Sequence, residues 1–119
     1  MSVTLTRDSD ILICLLYKDY CDKRAVGYSK EKAISFGSSE DIHKNIIPDW
    51  SALDVNQTCI ELYNAGLLNI FYADNIAYRT SLSDAGIIYM ENRFVEGTKS
   101  IMEYLGKFKA ILPFLFGGN

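Results

Sequence analysis

The sequence predicts a mainly α-helical domain carrying one small β-hairpin. Three observations point there. Residues 52–65 repeat apolar side chains at helical spacing and stop at Gly66, a residue suited to the left-handed end of a helix. Residues 67–82 form two short runs rich in β-formers around the turn cluster Ala73-Asp74-Asn75. Ser83 then opens a new helical pattern. The 119 residues suffice for one domain with a buried core. We divide the chain into a main body, 1–96, and a C-terminal amphipathic helix with an apolar tail, 97–119.

Taken in order, Thr6 and Asp8 are both suited to cap the first helix. Its segment Ile11–Tyr17 is apolar all round, the mark of a buried helix. It is apolar on more sides than one small core needs, and so offers a surface to a partner. Lys18 to Arg24 is polar, and Gly27 is a break. Ser29 caps a short helix, Lys30 to Phe36, stopped by Gly37. Ser39 caps Glu40 to Ile46, with Ile42 and Ile46 inward, Pro48 as terminator and Trp50 packed at the corner.

Ser51, with Asp54 three residues on, starts the helix over 52–65 as a capping box does. Ala52, Val55, Cys59, Leu62 and Tyr63 make its apolar arc; Asp54, Gln57, Glu61 and Asn64 lie opposite, with Leu53 and Ile60 at the edge. Residues 69–72 pair antiparallel with about 77–82. The helix from Ser83 points Ile87, Ile88, Met90 and Phe94 inward. Thr98 to Leu112 reads as one amphipathic helix with Ile101, Leu105, Phe108 and Leu112 in a narrow stripe and Lys99, Glu103 and Ala110 opposite. Gly97 precedes it, Pro113 stops it, and Phe114-Leu115-Phe116-Gly-Gly-Asn follows.

The helices 40–46 and 52–65, joined by a short turn, read as a helix-turn-helix, and the hairpin after them as a wing. Gly66-Leu67-Leu68, a hairpin, and then Tyr78-Arg-Thr-Ser-Leu82-Ser83-Asp84-Ala85-Gly86 resemble the ending of winged helix-turn-helix regulators of the MarR and PadR type and of small prophage proteins. The match covers roughly residues 39–93 and is a signature of fold. The resemblance implies a homodimeric, DNA-binding transcriptional regulator, with helix 52–65 in a major groove, the hairpin alongside, and terminal helices of two chains forming the dimer. Other domains of this fold serve as protein-interaction modules.

Charge bears on that choice. Residues 51–94 carry Arg79 and Arg93 against five acidic groups, net −3, so the segment expected to meet DNA is the most acidic part of a chain of overall charge −3. DNA affinity comes largely from cations on phosphates. The candidate DNA contacts are Lys44, Ser51, Asn56, Gln57, Asn64 and Arg79. The rival reading is a non-catalytic module that turns the acidic face of helix 52–65 to a basic protein. A third is a membrane-surface protein held by its tail, where Lys107 and Lys109 flank apolar residues. Ile101, Leu105, Phe108 and Leu112 are the candidate dimer seam, with packing on the chain's own core as the alternative.

No catalytic motif, cofactor site or metal site is expected. His43 is the lone histidine and reads as a surface residue between Asp41 and Lys44. Cys14, Cys21 and Cys59 are an odd number without metal spacing, which fits buried thiols in a reducing cytoplasm. Met1 to Asp10 lacks the pattern of a signal peptide, and no apolar run approaches the roughly 20 residues of a membrane span.

Overall fold

The computed structural model describes residues 3–117 except Asn75. Asn75 of the predicted turn, Met1 and Ser2 of the N-terminal segment, and Gly118 and Asn119 of the tail lie outside the described residues. The chain is mainly helical with a small three-stranded antiparallel sheet.

Helix α1 spans Arg7–Ala25. Thr6 caps it, its hydroxyl accepting the Ser9 amide. Every residue from Ile11 to Tyr17 is buried, because α1 is the central rod. It packs on one side against α4 (Ala52–Asn64) and elsewhere against α2 (Lys30–Ala33), α5 (Asp84–Arg93) and α6 (Thr98–Leu105). The excess apolar surface expected to face a partner is thus covered by the chain's own C-terminal helix. The polar stretch Lys18 to Arg24 continues the helix and is laced by the pairs Lys18–Asp22 and Lys23–Asp19, each at 2.8 Å.

The predicted helix Lys30 to Phe36 is shorter, ending at Ala33. Ser35–Gly37 is instead β1, an edge strand with only Phe36 pointing into the core. Three residues are too few to display a period. They become a strand because β3 (Ile76–Leu82) lies alongside, pairing Ser35 with Ser81 and Gly37 with Thr80. Ser38 caps α3 (Ser39–Asn45), one residue before the expected Ser39, in a capping box with Asp41. Ile42 and Ile47 are fully buried, and the expected Ile46 only partly.

α4 begins where expected, with the Ser51 hydroxyl accepting the Asp54 amide. Val55, Thr58, Cys59 and Leu62 are buried, whereas Ala52 and Tyr63, expected on the inner arc, are exposed. Gly66 adopts φ +82°. Strand β2 (Leu68–Ala73) then pairs antiparallel with β3 from Leu68↔Leu82 to Ala73↔Ile76, giving the sheet order β1-β3-β2. A bulge falls where Phe71 faces Arg79 but Tyr72 faces Ala77, leaving Tyr78 as the extra residue. Asp74 takes φ +53° at the turn, a conformation Asp tolerates.

Ser83 joins the hairpin to α5. Its hydroxyl donates to the Gly66 carbonyl at 2.7 Å and accepts the Gly86 amide at 2.9 Å. A Cβ on Gly86 would stand 2.3 Å from the Leu67 carbonyl oxygen. The Gly66…Ser83-x-x-Gly86 pattern is therefore a clamp that fastens the end of the hairpin to the end of α4. On α5, Ile87, Met90 and Phe94 face inward, but Ile88 is exposed, correcting the expectation for that residue.

The expected helix 98–112 is α-helical only to Leu105. From Gly106 to Ile111 the chain tightens into 3-10 geometry, with a kink at Phe108. Gly106 is a weak helix former at the point where the ladder fails. A last turn, α7 (Pro113–Phe116), follows. Among the described residues no helix is long and apolar enough to cross a membrane.

Candidate interaction surface

α4 is held on two sides by polar contacts that remove some of its side chains from the surface. The Asn56 side-chain oxygen accepts the Ala77 amide at 3.0 Å, which pins the hairpin to the helix. Glu61 accepts hydroxyl hydrogens from Ser9 at 2.9 Å and from Thr6 at 3.3 Å, which pins the start of α1. Thr58 folds back on the Asp54 carbonyl at 2.7 Å. What α4 leaves in solvent is Leu53, 78 % exposed, with Ala52, Asp54, Gln57, Tyr63 and Asn64.

The candidate DNA contacts are not brought to one surface. Gln57 and Asn64 are exposed on α4, Ser51 is engaged as the cap, and Asn56 is engaged with the hairpin. Lys44 is exposed near the end of α3. Arg79 stands on the other face of the sheet. Ala77, Thr80 and Leu82 of β3 are buried, while Arg79 and Ser81 alternate outward on the opposite side. Arg93, the second basic group of this segment, is bound to Asp10. The solvent face of α4 thus presents no cation.

It does present carboxylates. Asp8 and Asp54 both line two adjoining surface concavities of about 500 and 240 Å³. The larger also has Asp49 and the half-buried Trp50 in its wall, and the smaller has Gln57 and Glu61. Asp49 accepts the Phe114 amide at 3.0 Å, so the last turn closes one side. Arg7 contacts Asp8 at 3.3 Å in an exposed pair, which solvent weakens. Asp8 and Asp54 each occupy the first turn of a helix, where a carboxylate is favoured by the helix dipole. That position explains them singly in the sequence, whereas their convergence with Asp49 and Trp50 depends on three segments folding together and has no local signal.

The candidate dimer seam is covered. Ile101, Leu105 and Leu112 are fully buried within the single chain, and Phe108 is half-buried at the kink beside Tyr104, ring centres 5.7 Å apart. Within the chain the stripe packs on the chain's own core, the alternative weighed for it. His43 is half-buried on α3. Cys14 and Cys59 are buried and burial pushes both thiols up to about 12, with Asp10 adding to the rise at Cys14; Cys21 is half-buried and raised by the same cause. No group of three or more potential metal ligands occurs among the described residues.

Comparison with protein-family profiles, with curated proteins and with solved structures gives no match.

Proposed function

We propose that this chain is a winged helix-turn-helix module whose α4 face binds a basic segment of a partner protein. The winged-helix reading is supported by element order. The order α1, α2, β1, α3, α4, β2, β3 with strand order β1-β3-β2 is compatible with a helix-turn-helix followed by a hairpin wing. One observation supports the partner: the solvent face of α4 carries Asp54 and no cation, within a notch where Asp8, Asp49 and Glu61 outnumber its single cation, Arg7. A lysine or arginine entering the notch finds carboxylates to pair with and the Trp50 ring beside them, while Leu53 supplies apolar contact at the rim. The role is that of a binding module, without catalysis, in a reducing cytoplasm suited to three unpaired thiols.

The second reading is a DNA-binding transcriptional regulator with α4 in a major groove. It is favoured by the helix-turn-helix order and by Gln57 and Asn64, which can read base edges. Retention of labelled genomic fragments at low salt separates the two. The protein-partner reading expects no retention. The DNA reading expects retention that Gln57→Ala makes less selective, with a salt slope of about two phosphates per protomer, since Arg93 is engaged.

A further inference from the structure

The outer face of the sheet carries a further concavity, of about 520 Å³, remote in chemistry from the acidic notch. Its floor is the central strand β3. One rung is polar, Ser35–Ser81–Asn69 across the three strands. The next pairs Arg79 directly with Phe71. Phe71 is 65 % exposed, a large apolar side chain with no cover. Arg79 has no carboxylate within ion-pair distance among the described residues, although the chain has more acidic than basic groups.

We propose that this face binds a small amphipathic carboxylate, its anionic end on Arg79 and the Ser81 hydroxyl and its apolar body against Phe71. The volume lies within the roughly 300–1,000 Å³ of small-molecule sites, and the lining sets the apolar Phe71 ring beside the polar groups of Arg79, Ser81, Ser35 and Asn69. One guanidinium matches one carboxylate in a fork of two parallel hydrogen bonds. Among the described residues that line the concavity Arg79 is the one cation, which suits a monoanion better than a polyanion such as nucleic acid. The site is separate from the α4 notch, and either can fail without the other.

The test titrates the full chain, followed by amide NMR, with benzoate, phenylacetate, indole-3-acetate and octanoate, and with the matching neutral amides. The expected result is saturable shifts at residues 69–71 and 79–81, with the best acid binding at least tenfold more tightly than its amide. Arg79→Gln should remove the preference for the acid. Phe71→Ala should weaken acid and amide together. Both side chains are exposed, and an unchanged melting temperature verifies that each variant folds. Shifts that do not saturate up to the solubility limit of any acid overturn the proposal. So does equal binding of acid and amide, or an acid preference that survives Arg79→Gln.

Discussion

Arg93 and Asp10, 83 positions apart in the chain, meet in two parallel hydrogen bonds, the Nη2–Oδ2 contact at 3.0 Å. Tyr104 donates its hydroxyl to the same Asp10 oxygen. The guanidinium lies 4.8 Å from the Phe94 ring centre and 4.6 Å from that of Tyr104. This cluster ties the start of α1, the end of α5 and the end of α6 together, and it takes Arg93 away from any nucleic-acid surface. Burial by itself would raise the Asp10 carboxyl, but hydrogen bonds from Arg93 and Tyr104 and the guanidinium charge outweigh it and hold the group below the usual aspartate range.

Breaking this cluster should destabilise the fold. Both side chains are mostly withdrawn from solvent, so Arg93→Ala leaves a carboxylate without its partner and should cost on the order of 3 kcal/mol. The pH dependence has a definite sign. A depressed carboxyl contributes stability above its ordinary value of 3.8, and that contribution is lost as pH falls from there through the lower folded value. Urea unfolding below about pH 4 should therefore show a flatter acid limb in Asp10→Asn than in the parent.

Removal of the C-terminal segment should unfold the chain or nearly so. Truncation after Glu96 uncovers α1 and deletes the fully buried Ile101, Leu105 and Leu112. Leu105→Asp places a charge in the same core, and Leu105→Ala alone should cost about 2–5 kcal/mol. Circular dichroism melts check this. A truncated chain that keeps its helicity and melting temperature would show that α6 is dispensable to the domain.

The Ser83 clamp yields a graded pair. Ser83→Ala loses the helix cap and the hydroxyl that reaches the Gly66 carbonyl, about 1–2 kcal/mol. Gly86→Ala drives a methyl into the Leu67 carbonyl, which backbone must yield to accommodate, about 1–3 kcal/mol. Melting temperatures of the two variants measure both, and wild-type values in either would dissolve the clamp.

Thiol reactivity should rank by burial. Cys21 should react with a thiol reagent in the native state, and Cys14 and Cys59 only as the protein opens. The two buried thiols are raised from 9.0 to about 12, so the stability they contribute is complete below pH 9.0 and declines as pH rises toward 12. Alkaline unfolding should shift upward in Cys59→Ala relative to its own neutral-pH stability.

The sequence made α4 and the hairpin legible because the apolar period changes at Gly66 and the turn residues are distinctive. It hid β1, which is a strand only through its pairing with Ser81 and Thr80. It also hid the fate of charged and polar side chains. Arg93, Glu61 and Asn56 read as solvent-facing groups, and each is engaged with a residue 83, 52 or 21 positions away. The amphipathic stripe of 98–112 was legible as a buried stripe, but which surface buries it depended on α1. The notch around Asp54 could not be read locally, because Asp8 and Asp49 come to it from separate segments.

The most direct measurement is capture from an extract of the native host on the immobilised full chain, with and without nuclease, alongside Asp54→Lys. Asp54 is exposed, so the variant keeps the fold while reversing the charge of the notch. The expected result is a retained protein that survives nuclease, elutes with salt and is lost on Asp54→Lys. Captured material that is nucleic acid, disappears with nuclease and is held more tightly by Asp54→Lys would contradict it.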